Sequence, residues 1–283
     1  MPARVTPVKR TGKPRHAEAL GPVKDRRKRL LKVLDLLDAN LGTPVWDGPK
    51  NALEVLVLTI LSQNTNDNNA LKAYQNLSRK FPAGQTRADT LPRDAQGNVD
   101  RIKLRLSNAA TAVSPPDWRR VTELSAEQLA EVIRVAGLPG SKSASILAVL
   151  HWLAAYGFSL ERVLETKGLE EAMAAMTHIK GVGVKTASVT MIEACGADLC
   201  PVDTHVHRIV NRLGIVDTKD ARDKTFEQLR AMLSPKRAYA LHHNLLTLGR
   251  TLCTARSPKC GECFLRRLCP AREDVTSRPR SAS

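Results

Sequence analysis

Four of the chain's six cysteines, Cys253, Cys260, Cys263 and Cys269, fall within seventeen residues in the pattern C-x6-C-x2-C-x5-C. Four thiols this close in sequence restrict the local chain path more than any other feature. No apolar stretch at the N-terminus has the character of a secretory signal, so a disulfide framework is not expected and the cluster reads as a metal site. Four thiolates can close a tetrahedral shell around zinc or hold an iron–sulfur cluster. Zinc knuckles usually carry two close pairs, and here only Cys260 and Cys263 are close, which tilts the spacing toward iron–sulfur. Cys195 and Cys200 stand apart and read as small buried apolar residues. Arg256, Lys259, Arg266 and Arg267 lie between the expected ligands. A metal-tied loop would hold them rigidly against phosphates, or they simply offset thiolate charge.

The charge balance points to the partner. Lys and Arg number 44 against 28 Asp and Glu, a formal net charge of +16. A surface this basic implies a polyanion. Only 4% of residues are aromatic, too few for the stacking platforms that grip single strands, so duplex DNA is the expected partner. Half the excess sits in residues 1–30, where ten basic residues face only Glu18 and Asp25. The first twenty residues hold three prolines and no hydrophobic period, as in a disordered arm. Such an arm either solubilises the chain or tethers it to DNA. It lacks the amphipathic period of a transit peptide. No apolar run reaches the ~18 residues that a membrane span needs, and a cytoplasmic bacterial monomer is the simplest expectation.

Between the tails the pattern is helical. Leu30, Leu31, Val33, Leu34, Leu37 and Leu41 recur at helical spacing. Residues 52–62 are apolar all round, as in a buried helix, and 70–81 form another candidate. Ser125 and Gln128 make a capping box for a helix ending at Gly137. Further helices are expected over 141–156, 169–179, 184–195 and 204–213, with Pro235 opening a long last one. No period-2 alternation is sustained, so the fold class is all-α. The stretch 83–117 carries Pro92, Pro115 and Pro116 with weak apolar spacing, and connections of that length usually have a function or are disordered.

The segment from His178 to Ala187 reads as helix, tight G-x-G turn, helix. Gly181 and Gly183 can take positive φ and admit a phosphate close to the backbone, and the unpaired N–H groups of the second helix would face it. This is duplex anchoring without sequence readout. Lys185, in that helix's first turn, is either one more phosphate contact or a nucleophile whose pKa is pulled down by the positive helix end, cationic neighbours and partial burial. Asp203, expected to cap the helix from Thr204, lies eighteen residues on, so the two could meet.

These residues resemble the endonuclease III family of helix–hairpin–helix DNA glycosylases. G-V-G-V-K-T-A at 181–187, V-D-T-H at 202–205, H-H-N-L-L-T-L-G-R at 242–250 and the four-cysteine loop carry the resemblance in order and spacing. It implies a basic tail over 1–25, a six-helix barrel with the hairpin over 46–197, and an iron–sulfur domain from 26–45 and 198–270. A C-terminal tail over 271–283 follows, and DNA is expected in the groove between the domains. The segment after Phe81 is roughly thirty residues longer than the family's usual connection, an insertion at about 83–117. The resemblance makes Lys185 the Schiff-base lysine, Asp203 the catalytic aspartate, and the four cysteines the ligands of a [4Fe–4S] cluster. Leu138, in G-L-P-G-S-K, becomes a wedge in the base stack. Gln63 or Asn64 fills the gap left by the flipped base, although the wording at 62–67 departs from the family's. Lys180, Gly181, Gly183, His205, Arg256 and Lys259 become DNA contacts.

The implied activity is a bifunctional glycosylase and abasic-site lyase that removes oxidised pyrimidines through a Lys185 Schiff base and nicks by β-elimination. The alternatives are a glycosylase for another damaged or mismatched base, and a non-catalytic damage-binding protein on the same fold, with or without zinc in the cysteine loop. Lys185 speaks against an adenine glycosylase, which lacks that lysine.

Overall fold

The computed structural model describes residues 21–48, 50–83 and 115–272. Most of the basic arm, residues 84–114 of the expected insertion and the C-terminal stretch from 273 lie outside the described residues. Among the described residues the secondary structure is helical, with one isolated bridge between Pro82 and Pro116, so the all-α class holds. None of the helices is long and apolar enough to cross a membrane. The chain divides into two compact units. One takes the residues up to Thr43, Thr204–Leu233 and the chain from Asn244; the other takes Pro44–Asp203 and Ser234–His243.

The larger unit is built around α2 (Ala52–Leu61), all ten of whose residues are buried. A helix apolar on every face is stable only when wrapped by others. It packs against α3 (Asp67–Lys80), α6 (Pro139–Ala154), α7 (Leu160–His178) and α8 (Val184–Cys195). Two shorter helices, α4 (Trp118–Thr122) and α5 (Ala126–Ile133), complete the set, both against α6. The Ser125–Gln128 capping box is present in both directions, and a 3-10 turn (Arg134–Ala136) carries α5 on to Gly137.

Burial of α2 forces its ends to be satisfied internally. At its start Asn51 Oδ1 accepts from the Glu54 N–H (3.0 Å) and the Glu161 carboxylate from the Ala52 N–H (2.8 Å). At its end the Leu61 carbonyl accepts from the Lys142 ammonium at 2.7 Å. Anion at the N-terminus and cation at the C-terminus both complement the helix dipole.

In the smaller unit α1 (Val23–Leu41) packs on α10 (Arg222–Met232), alongside α9 (Thr204–Arg212). Arg26 and Arg29, counted in the basic excess of residues 1–30, are structural. Arg26 donates to Gln228 (3.2 Å), and Arg29 donates to the carbonyls of Leu213 and Gly214 (both 3.2 Å).

Two helix expectations need correction. The last helix, α11 (Ala238–Thr251), starts three residues after Pro235. Lys236 turns left-handed (φ 63), and the Asp198 carboxylate, rather than a local cap, accepts the N–H groups of Lys236 (2.7 Å) and Ala238 (3.3 Å). The helix expected over 169–179 is the second half of α7, preceded by another segment across a break at Gly168 (φ 76, ψ 174). The short α4 and the whole of α10 escaped the sequence reading.

One buried pair in this core titrates near neutrality. Tyr74 donates to Glu54 at 2.8 Å, and burial raises the Glu54 carboxyl from 4.5 to about 7. A raised folded-state pKa gives stability that is complete below the unfolded value and lost as pH rises through the folded one. Glu54→Gln should therefore remove a stability loss on the order of 2–3 kcal/mol between about pH 4.5 and 7. Urea melts of both proteins across that range check this.

Candidate active site and thiol pocket

The hairpin joins α7 to α8 through Lys180–Val184. Gly181 takes φ 91, and a Cβ there would lie 2.0 Å from the Ser145 Oγ of α6. The Ser145 hydroxyl donates to the Lys180 carbonyl at 2.8 Å, which seats the turn on α6. Gly183 differs from the expectation. Its φ is −91, and a Cβ there would meet nothing. Its smallness answers no demand within the protein, and no side chain caps α8, so the first N–H groups of that helix are open to an outside acceptor.

Lys185 stands exposed in this first turn, and Lys180 is exposed just before it. Asp203, half-buried, directly precedes α9. The sequence reading gave no role to His242, a residue of the same unit. His242 is buried, donates from Nδ1 to the Pro201 carbonyl (3.0 Å) two residues before Asp203, and feels the charge of Lys185. Burial, then His243 and Lys185, pull its pKa to about 3 against the opposing pull of Glu193. Beside it, buried Glu193 accepts from His243 (2.9 Å) and Lys50 (3.1 Å). Burial would raise this carboxyl, but the hydrogen bond and electrostatic pull of His243, with Lys50, overcome it and hold it below its ordinary value. Both histidines were visible in the H-H-N-L-L-T-L-G-R segment. What the sequence lacked was a sign that Glu193, on another helix, faces them.

Gln63 donates to the Gly181 carbonyl (3.0 Å) and the Thr186 hydroxyl (3.1 Å), which ties the end of α2 to the hairpin. Asn64 is exposed and left-handed (φ 52). Leu138 is also left-handed (φ 49), and 58% of its surface is exposed although it is a large apolar residue. The left-handed backbone is strained for a leucine. Cys195 and Cys200 belong to this unit. Burial pushes the Cys195 thiol up to about 11 and raises Cys200 as well, in keeping with inert packing.

In the smaller unit Cys253, Cys260, Cys263 and Cys269 line one pocket with Arg212, Lys259, Arg266 and Arg272. Burial and then the neighbouring sulfurs raise Cys269 to about 11 and push Cys263 up. A cationic core would let four thiolates share this pocket. Among the described residues no three His, Cys, Asp or Glu side chains converge to hold a single metal ion. The four sulfurs share the lining of that one pocket. Arg212, missed from sequence, donates to Cys253 Sγ (3.3 Å) and to the carbonyls of Thr254 and Ala255 (2.8 and 2.9 Å). Arg208 donates to the Cys253 carbonyl at 2.8 Å. His205 packs on Gly249, where a Cβ would approach its Nδ1 to 2.5 Å. Arg256 is exposed on the loop.

The two hairpin glycines should separate on substitution. Gly181→Ala should cost about 2 kcal/mol or more of stability through its positive φ and the Ser145 clash. Gly183→Ala should stay within roughly 0.5 kcal/mol yet weaken duplex binding. Thermal melts paired with duplex titrations check both.

Comparison with known proteins agrees with this geometry. The family model for HhH-GPD superfamily base excision DNA repair proteins matches residues 57–235, and that for the iron–sulfur binding domain of endonuclease III matches residues 253–269. Endonuclease III of Escherichia coli K12 is 33% identical over 153 residues, covering 54% of this chain and 68% of its own. An endonuclease III homolog of Encephalitozoon cuniculi is 25% identical over 250 residues, 88% of this chain and 91% of its own. The solved structure of a non-covalent endonuclease III–DNA complex shares the fold, with TM-score 0.65 and 21% identity over 89% of this chain and 99% of that one. The chain thus belongs to the HhH-GPD superfamily of base excision DNA repair proteins and, within it, to the endonuclease III family of DNA glycosylases.

Proposed function

We propose that the chain is a bifunctional DNA glycosylase and abasic-site lyase, acting as a monomer on duplex DNA that carries an oxidised pyrimidine or an abasic site. The observation that carries this reading is an exposed lysine, Lys185, in the first turn of an uncapped helix. Asp203 belongs to the same unit, and one buried imidazole, His242, links the surroundings of both residues.

The chemistry follows from the groups present. The damaged base leaves the stack, at least cost where damage has weakened its pairing. The lone pair of neutral Lys185 Nζ attacks C1′, and the glycosidic bond breaks with its electron pair leaving on the base. The Asp203 carboxylate stabilises positive charge on the sugar and accepts a proton from the lysine. The nitrogen's lone pair then opens the sugar ring, the C1′–O4′ bond breaking with its electrons on O4′, which takes up the proton passed from the amine. The imine so formed acidifies C2′. Loss of that proton expels the 3′ phosphate oxygen and nicks the strand. Leu138 wedges into the stack, and Gln63 or Asn64 occupies the space of the departed base. Lys180, Gly181, Gly183, His205, Arg256 and Lys259 meet the backbone. Cys253, Cys260, Cys263 and Cys269, which line one pocket, would hold a [4Fe–4S] cluster. The cluster is a structural tie for the loop and takes no step in the reaction.

Borohydride reduction tests the imine. The wild type should form a covalent adduct with an abasic duplex, and Lys185→Ala should form none. Asp203→Asn should slow the single-turnover rate by roughly 10²–10⁴-fold with little change in affinity. Base release without any adduct would leave a simple hydrolytic glycosylase and refute the lyase assignment.

A further inference from the structure

We propose that Lys142 is a positioning residue that sets the two DNA-probing loops, 62–66 and 137–139, in register, so that wedge and gap-filler enter a damaged duplex as one unit. Lys142 lies in the first turn of α6 and is 2% exposed, so it touches no DNA itself. Its ammonium donates to the Leu61 carbonyl and to the Ala136 carbonyl, each at 2.7 Å. Leu61 is the last residue of α2, and the chain runs from it into Gln63 and Asn64. Ala136 ends the 3-10 turn, and the chain runs from it into Gly137 and Leu138. One cation therefore satisfies two orphan carbonyls at two helix ends, each a residue or two from a probing side chain.

The same residue also grips the wedge loop from its far side. The Lys142 backbone N–H donates to the Leu138 carbonyl at 3.2 Å, and the Ser141 hydroxyl donates to it at 3.3 Å. The left-handed Leu138 is thus clamped before and after by one lysine. On the other loop Gln63 is tied to the hairpin through Gly181 and Thr186. The hairpin in turn is tied to α6 through Ser145. The three segments close a ring of hydrogen bonds in which Lys142 is the charged member. Such bonds are stronger and more directional than neutral ones, and losing them leaves two buried carbonyls unpaired.

This inference rests on the chain opening duplex DNA as a repair glycosylase. Lys142→Met removes the donors and keeps the stem. It should lower the preference for a duplex bearing a tetrahydrofuran abasic analogue over the intact duplex by about ten-fold. Lys142→Arg, which keeps a charged donor, should recover most of it. Borohydride trapping on a single-stranded abasic oligonucleotide, which has no opposite strand to probe, should be unchanged in Lys142→Met.

An unaltered preference ratio, or equal losses on single and double strands, overturns the proposal, as does a wild type with no preference. If Lys142→Met unfolds by circular dichroism, Lys142→Gln, whose shorter neutral amide cannot hold both carbonyls, replaces it with the same loss expected. If both unfold, the lysine serves stability alone and the proposal fails. Failure of the lyase reading looks different: the wild type gives no adduct at all, while the preference ratio still reports on Lys142.

Discussion

The larger unit depends on a helix that has no face to spare for water. With all ten residues of α2 buried, its apolar flanks are easily matched by neighbouring helices, but its polar ends are not. An unpaired backbone group in a dry interior costs about as much as the hydrogen bond it forgoes. Asn51 and Glu161 answer this at one end and Lys142 at the other. These three side chains come from the preceding turn, α7 and α6. Satisfying one buried helix therefore dictates where its neighbours lie. The hairpin inherits its place from that arrangement, because Ser145 on α6 fixes the turn in which Gly181 sits.

A second principle organises the thiol pocket. Sulfurs that share a small space resist ionising together, so their loop needs positive charge close by. The sequence shows cations between the cysteines. The structure adds Arg212 and Arg208 from a helix some forty residues upstream, both bonded to the Cys253 turn. Arginine suits this role because its planar fork reaches a sulfur and two carbonyls at once. The loop is thus held by a scaffold of hydrogen bonds as well as by whatever its sulfurs ligate.

Most helices were legible because their signals are local. Apolar recurrence at helical spacing marked α1, α2 and α6, and the Ser125 capping box named its own helix. What stayed hidden was decided at a distance. Nothing near Pro235 announces that Asp198 will cap the chain three residues later, so the start of α11 was misplaced. Arg26 reads as one basic residue among many until Gln228 is seen beside it. The same holds for the site. Lys185, Asp203 and the cysteines carry motif signals, whereas His242, Glu193 and Lys142 act through partners on other helices. A buried lysine in a glycine-rich loop looks like any solvated cation until the carbonyls it faces are known.

His242 has one consequence for how the site behaves in a living cell. An imidazole kept uncharged down to about pH 3 contributes no titration step across the physiological range. Histidine-gated proteins change state on mild acidification. Here the buried ring that feels the charge of Lys185 stays electrically silent when the medium drifts by a unit or two. Its own dryness keeps this one imidazole out of any response to metabolic acid.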